Sequence, residues 1–142
     1  MERTKITMKY YLAKTEPSTY SIDDLAKEKT TVWSGVKNPS AVKALKAMQK
    51  GDKILIYHSG SESAIVGLAK MSGNSHLDIK EERSWLVDIT FVKKFSEPHV
   101  TLKDIKTSGL FSDTALVRQG RLSVMEVPEK LIHWLGKKGL PV

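Results

Sequence analysis

The segment Asp52–Met71, DKILIYHSGSESAIVGLAKM, decides the fold class. Its two halves, DKILIYHS and AIVGLAKM, are compact apolar runs of strand length rich in Ile, Leu, Val and Tyr, and GSES between them is turn chemistry. The segment predicts two strands joined directly, with no helix between them. Downstream, SWLVDITFVKKF (84–95) places Trp85, Val87, Ile89 and Phe91 at alternate positions, the period of a half-buried strand. Upstream, KYYLAK (9–14) predicts a first strand, and TTVWSGVKN a short β-rich stretch that ends in a turn. ALVRQGRLSVMEV (115–127) predicts one more strand, interrupted at Gly120.

Helices fit around these strands. In YSIDDLAKE, Ser21 is placed to cap a helix, with Asp24 three residues on in a capping-box arrangement. NPSAVKALKAMQKG is the clearest helix: Asn38 caps it, Pro39 suits its first turn, Ala41, Val42, Leu45 and Met48 share a face, and Gly51 is its expected end. A short helix is expected after Thr101. PEKLIHWLGKKG closes the chain as another, with Pro128 at its start and Gly136 at its end. The polar stretch SGNSHLDIKEER (72–83) reads as a long loop. Strands outnumber helices and do not alternate with them, which excludes a doubly wound sheet. The expectation is an α+β fold: a small curved sheet or partly open barrel with helices packed outside.

The chain has 142 residues, 40% hydrophobic and 27% charged, enough for one ordinary core and unlike a disordered chain. Residues 1–8 read as a loose leader and 9–142 as a single domain, with Met8 an alternative start; MERTKITMKYY lacks the apolar centre of a secretory signal. No apolar run approaches membrane-span length. With no Cys, disulfides, thiolate zinc sites and a Cys nucleophile are excluded. These features fit a cytoplasmic protein, or a nuclear one in a eukaryote. The formal charge of +7 favours a polyanionic partner such as nucleic acid, although a basic surface also serves solubility.

YYLAKTEPSTYSIDDL, VWSGVKN, GDKILIYHS, AIVGLAKM, WLVDITFV and LVRQGRLSV occur in this order. Together they resemble the EVE domain family over nearly the whole chain, from Lys9 to about Trp134. The resemblance implies a PUA-like fold related to the YTH readers of methylated adenine in RNA. It also implies a pocket for one modified nucleobase, with cytosine derivatives in DNA the leading candidates. The chain departs from the family pattern at Lys37, often Arg, and at Pro39, often aromatic. It departs again at the GSESA loop, commonly Asn-rich, and in Ser72–Arg83, which lacks an expected Tyr-Pro-Asp pattern. These positions touch the pocket rim, so base preference does not carry over with the resemblance.

A base reader needs an aromatic plane to replace the lost stack and polar groups facing the base edge. Trp33 is the candidate plane, beside Ser34 and a Gly35 that lets backbone come close to a ligand; the competing reading is a core residue at a strand end. Glu16, in KTEP before the rigid Pro17, can accept from an exocyclic amine. Its alternative is a surface ion pair with Lys14. Thr15 flanks it. Tyr57 is a candidate second wall and Ser59 a candidate edge contact. His58 is open to a general-base or a structural reading, and alternation turns it away from the face of Tyr57. Asn38 can cap, bind, or do both.

Lys14, Lys37, Arg118, Gln119, Arg121 and Ser123 are candidate phosphate or edge contacts, or else a solvated basic strand edge. Asp23, Asp24, Glu81 and Glu82 read as capping and surface groups. The four His show no metal spacing, and no phosphate loop or dinucleotide fingerprint occurs. The expected function is a non-catalytic nucleic-acid module with no cofactor and no metal. The alternatives are an RNA binder, a nuclease or glycosylase using Glu16 or His58, and a small-molecule sensor.

Overall fold

The computed structural model describes residues 8–36, 38–73, 75–77 and 85–142. In chain order the elements are β1 (Tyr10–Thr15), α1 (Ile22–Glu28), β2 (Thr30–Val36), α2 (Pro39–Ala47), β3 (Lys53–His58), β4 (Ala64–Met71), β5 (His76–Leu77) and β6 (Trp85–Lys94). They continue with β7 (Val100–Thr101), α3 (Leu102–Ser108), α4 (Ala115–Arg118), β8 (Val124–Val127) and α5 (Glu129–Lys137). One sheet runs β2-β6-β4-β3-β1-β8, with β5 added to β6 and β7 to β4. Among the described strands only β1 and β3 pair in parallel, linked by the crossover through α1, β2 and α2; the other described pairs are antiparallel. The end strands β2 and β8 do not pair with each other, so the sheet is a curled, open half-barrel of the PUA-like, α+β kind.

The hairpin that decides the fold pairs Lys53 with Lys70 and His58 with Ala64. Its strands lie mid-sheet and are covered on both faces, so Ile54, Leu55, Ile56 and Tyr57 are all buried. That is why β3 reads as a continuous apolar run and not as an alternation. Register shifts interrupt β3–β4 after Ile56, β4–β6 after Leu68 and β2–β6 between Trp33 and Val36. Such irregularities bend and twist a strand, and here they accompany the curl of the sheet.

The caps form as the residues predict. Ser21 Oγ accepts the Asp24 N–H, and the Asp24 carboxylate accepts the Ser21 N–H. Thr101 and Asp104 make the same box at α3. Asn38 Oδ1 accepts the N–H groups of Ser40 and Ala41. Three expected boundaries are corrected. α2 ends at Ala47, with Met48 as its C-cap, and Gly51 lies in the following turn with φ of +96°. α5 runs through Gly136 to Lys137, and Gly139 follows with φ of +96°. ALVR is helical: the Thr114 carbonyl accepts from Val117 and Arg118, and the strand begins only at Val124. Part of the loop expected after Met71 is strand, because β5 pairs His76 with Leu86 and Leu77 with Trp85.

Candidate functional site

A cavity of about 470 Å³ opens beside the C-terminal end of β1. Its wall brings together Lys14, Thr15, Glu16, Trp33, Ser34 and Ser123, which lie in three separate sequence stretches, and adds Thr19, Tyr20, Thr31, Val32 and Val36.

The chain holds this wall by local hydrogen bonds. Thr15 pairs with His58 across β1–β3, and its carbonyl accepts the Ser59 N–H at 2.9 Å. Beyond it, the Glu16 carbonyl accepts the N–H groups of Thr19 and Tyr20, both at 2.9 Å, while Thr15 Oγ1 donates to the Tyr20 carbonyl at 2.8 Å. The TEPSTY turn therefore folds back on itself and delivers Tyr20 to the cavity just before the Ser21 cap. The Glu16 side chain is exposed at the lip, with Oε1 near Gly60; a Cβ built on Gly60 would lie 3.8 Å from it.

Trp33 is half-buried. It packs against the core and also lines the cavity, so the strand-end and pocket readings describe the same residue. Ser34 and Gly35 fall where the β2–β6 register slips. Tyr20 meets Trp33 edge-on, with ring centroids 6.3 Å apart and planes at 85°. Tyr20 Oη donates to Glu28 Oε1 at 2.5 Å, and its phenol is pushed up to about 12, first by burial and then by that carboxylate. It remains a protonated donor at neutral pH. Tyr20 was not among the expected site residues; its place directly after the Pro17 turn and before a helix cap is the signal that marks it.

Lys14 is half-buried. Its Nζ donates to the Gly120 carbonyl at 3.0 Å and stands 5.4 Å from the centre of the Tyr57 ring. The ammonium is thus engaged by Gly120 and not by Glu16. Burial lowers the Lys14 pKa. Its backbone N–H donates to the Ser123 carbonyl at 2.8 Å, which ties β1 to the segment before β8.

Several expected site residues stand outside the cavity wall. Tyr57 is 2% exposed and belongs to the core. Ser59 supports Thr15 from behind, its Oγ 3.3 Å from the Thr15 carbonyl. Asn38 is committed to capping α2. Arg118, Gln119 and Arg121 are exposed around Gly120, on α4 and the turn after it and not on a strand. Lys37, Glu81 and Glu82 lie outside the described residues. His58 is 9% exposed, and its Nε2 accepts the Ile22 N–H at 3.0 Å. Burial lowers its pKa, in keeping with the neutral ring that acceptance requires. Among the described residues no group of three or more His, Asp and Glu could hold a metal, and no helix is long and apolar enough to cross a membrane.

The cavity wall gathers aromatic side chains, a carboxylate, an ammonium and hydroxyls. That set suits a planar ring with a polar edge.

Comparison with known proteins extends this picture. The family model of the EVE domain matches residues 9–137. Thymocyte nuclear protein 1 of Gallus gallus is 29% identical over 165 aligned positions, covering 91% of this chain and 68% of the relative. A solved structure from Leishmania major superposes with a TM-score of 0.84 at 33% identity, covering 93% of this chain and 94% of the other. The human THYN1 protein, solved in complex with 5-methylcytosine-containing DNA, has a TM-score of 0.79 at 23% identity, covering 89% and 95%.

Proposed function

This chain belongs to the EVE domain family, and from that premise we propose that it is a non-catalytic nucleic-acid binding module that holds one modified base, a cytosine derivative in DNA by preference. The observation that carries the reading is the single cavity wall shared by Trp33 and Glu16. Trp33 gives the base a face to stack on, with Tyr20 bracing it edge-on. Glu16 accepts from the exocyclic amine. The human THYN1 complex with 5-methylcytosine-containing DNA supports the ligand class. The basic balance of the chain supports a polyanion.

The test is affinity for matched oligonucleotides carrying cytosine or 5-methylcytosine, single- and double-stranded, as DNA and as RNA. Stacking on an aromatic contributes roughly 1–3 kcal/mol per base, so Trp33→Ala should weaken binding to the modified strand by about 5- to 150-fold. Because Trp33 also touches the core, Trp33→Leu and thermal melts accompany it. A folded variant that binds as the wild type does removes Trp33 from the site. Strand cleavage or base release by the wild type that disappears in Glu16→Gln would overturn the non-catalytic reading.

A further inference from the structure

We propose that Lys14 contacts the base edge and not a phosphate, and that with Glu16 it selects a base whose exocyclic amine stands beside an unprotonated ring nitrogen. The proposal rests on the base-reader reading above and adds to it the rule for choosing the base.

Lys14 lies near the end of β1 and Glu16 in the turn that follows it. Both line the one cavity. A phosphate-seeking lysine needs only a hydrated, mobile rim position. Lys14 is instead half-buried, and its ammonium is held in place by the Gly120 carbonyl at 3.0 Å and the face of Tyr57 at 5.4 Å. An ammonium has three donors, and Gly120 takes one. That leaves donors to spare on a side chain that lines the cavity. Burial shifts its pKa in the direction expected of a cation withdrawn from water.

Lys14 and Glu16 therefore supply a donor and an acceptor to the same cavity. Cytosine matches it, with the N4 amine toward Glu16 and N3 toward Lys14. Thymine reverses both positions: O4 meets the carboxylate and N3–H meets the ammonium. 5-Methylcytosine and thymine share the ring and the 5-methyl group and differ only along this edge, so they isolate the effect.

The experiment compares oligonucleotides identical except at one base: 5-methylcytosine, thymine, the 3-deaza analogue of 5-methylcytosine (ring N3 replaced by CH), and an abasic site. Each is titrated against the wild type, Lys14→Met and Lys14→Arg over a range of salt. A neutral-to-charged hydrogen bond of ordinary strength corresponds to about tenfold or more in affinity. The wild type should favour 5-methylcytosine over thymine and over the 3-deaza base by at least that factor. Lys14→Met should lose the N3 preference while its salt dependence stays unchanged. The proposal is overturned if Lys14→Met weakens all four strands alike and lowers the log–log salt slope by about one, the behaviour of a phosphate contact. Should Lys14→Met fail to fold, the wild type alone decides: indifference to the N3 replacement overturns the proposal. Failure of the base-reader reading is separately visible, as equal binding of the 5-methylcytosine and abasic strands.

Discussion

His58 works as an acceptor, which fixes its protonation state. Its Nε2 takes the N–H of Ile22, a first-turn donor of α1 that has no partner within the helix. A protonated ring would turn a donor toward that N–H. Burial is the largest cause of its lowered pKa; Glu62 and Asp23 pull it up, His99 and Lys94 push it down. The sign follows directly. The folded value lies below the ordinary 6.5, so the unfolded chain binds the proton more readily. The contribution is complete above 6.5 and is lost as pH falls through the depressed folded value. Thermal melts between about pH 8 and pH 5 should show stability falling on the acid side. His58→Gln, whose carbonyl accepts at any pH, should flatten that fall; an unchanged profile would exclude His58 as its source. His58→Ala should cost about 1–3 kcal/mol near neutrality, from the unpaired N–H. At this scale the sequence singled out Glu16 and Trp33, beside Pro17 and Gly35, and both line the cavity. Tyr57, expected as a second wall, lies in the core, because a strand covered on both faces buries inward and outward positions alike. Tyr20 escaped because its bracing partners, Glu28 and Trp33, are brought to it only by folding.

α1 bears on the cavity indirectly, since the lining residues Thr19 and Tyr20 lead directly into it. It packs over β4 through Ile22, at the one position where the strand has no side chain. A Cβ on Gly67 would lie 2.3 Å from Ile22 Cδ1, 2.7 Å from its Cγ1 and 2.9 Å from the Lys93 carbonyl. The first contacts can yield by a rotamer change, but the backbone carbonyl cannot move without disturbing β6. Gly67→Ala should therefore destabilise by about 1–3 kcal/mol, as overpacking does. Adding Ile22→Val, which removes Cδ1, should recover part of the loss and not all of it. Full recovery would mean the Lys93 carbonyl is no obstacle; no loss at all would mean α1 is not seated there. The capped helices and long strands were legible because local chemistry and period determine them. α4, β5 and β7 were not. α4 spans only Ala115–Arg118, and β5 and β7 exist by virtue of pairing with β6 and β4, which no local pattern encodes.

For the whole molecule, the excess of 23 Lys and Arg over 16 Asp and Glu has two possible uses: general solubility, or neutralising phosphates along a bound strand. The two uses can be told apart by experiment at one place. Arg118 and Arg121 are exposed on either side of Gly120, whose carbonyl anchors Lys14 at the cavity. A strand that delivers a base to Trp33 would have its neighbouring phosphates within the field of these two guanidinium groups. Affinity should then fall steeply between about 50 and 200 mM salt, by the release of condensed counterions. Arg118→Ala together with Arg121→Ala should weaken modified and unmodified strands by the same factor. The log–log salt slope should become shallower by about two, with the preference for the modified base unchanged. Phosphate contacts position a strand and base-edge contacts choose it, so the double variant should change affinity alone, the Trp33 variants the base-dependent part of the affinity, and the Glu16 variants selectivity. Isothermal titration of each variant at several salt concentrations makes the separation measurable. A wild-type affinity that does not respond to salt would assign the cavity to a free nucleoside-like ligand and leave the basic surface to solubility alone.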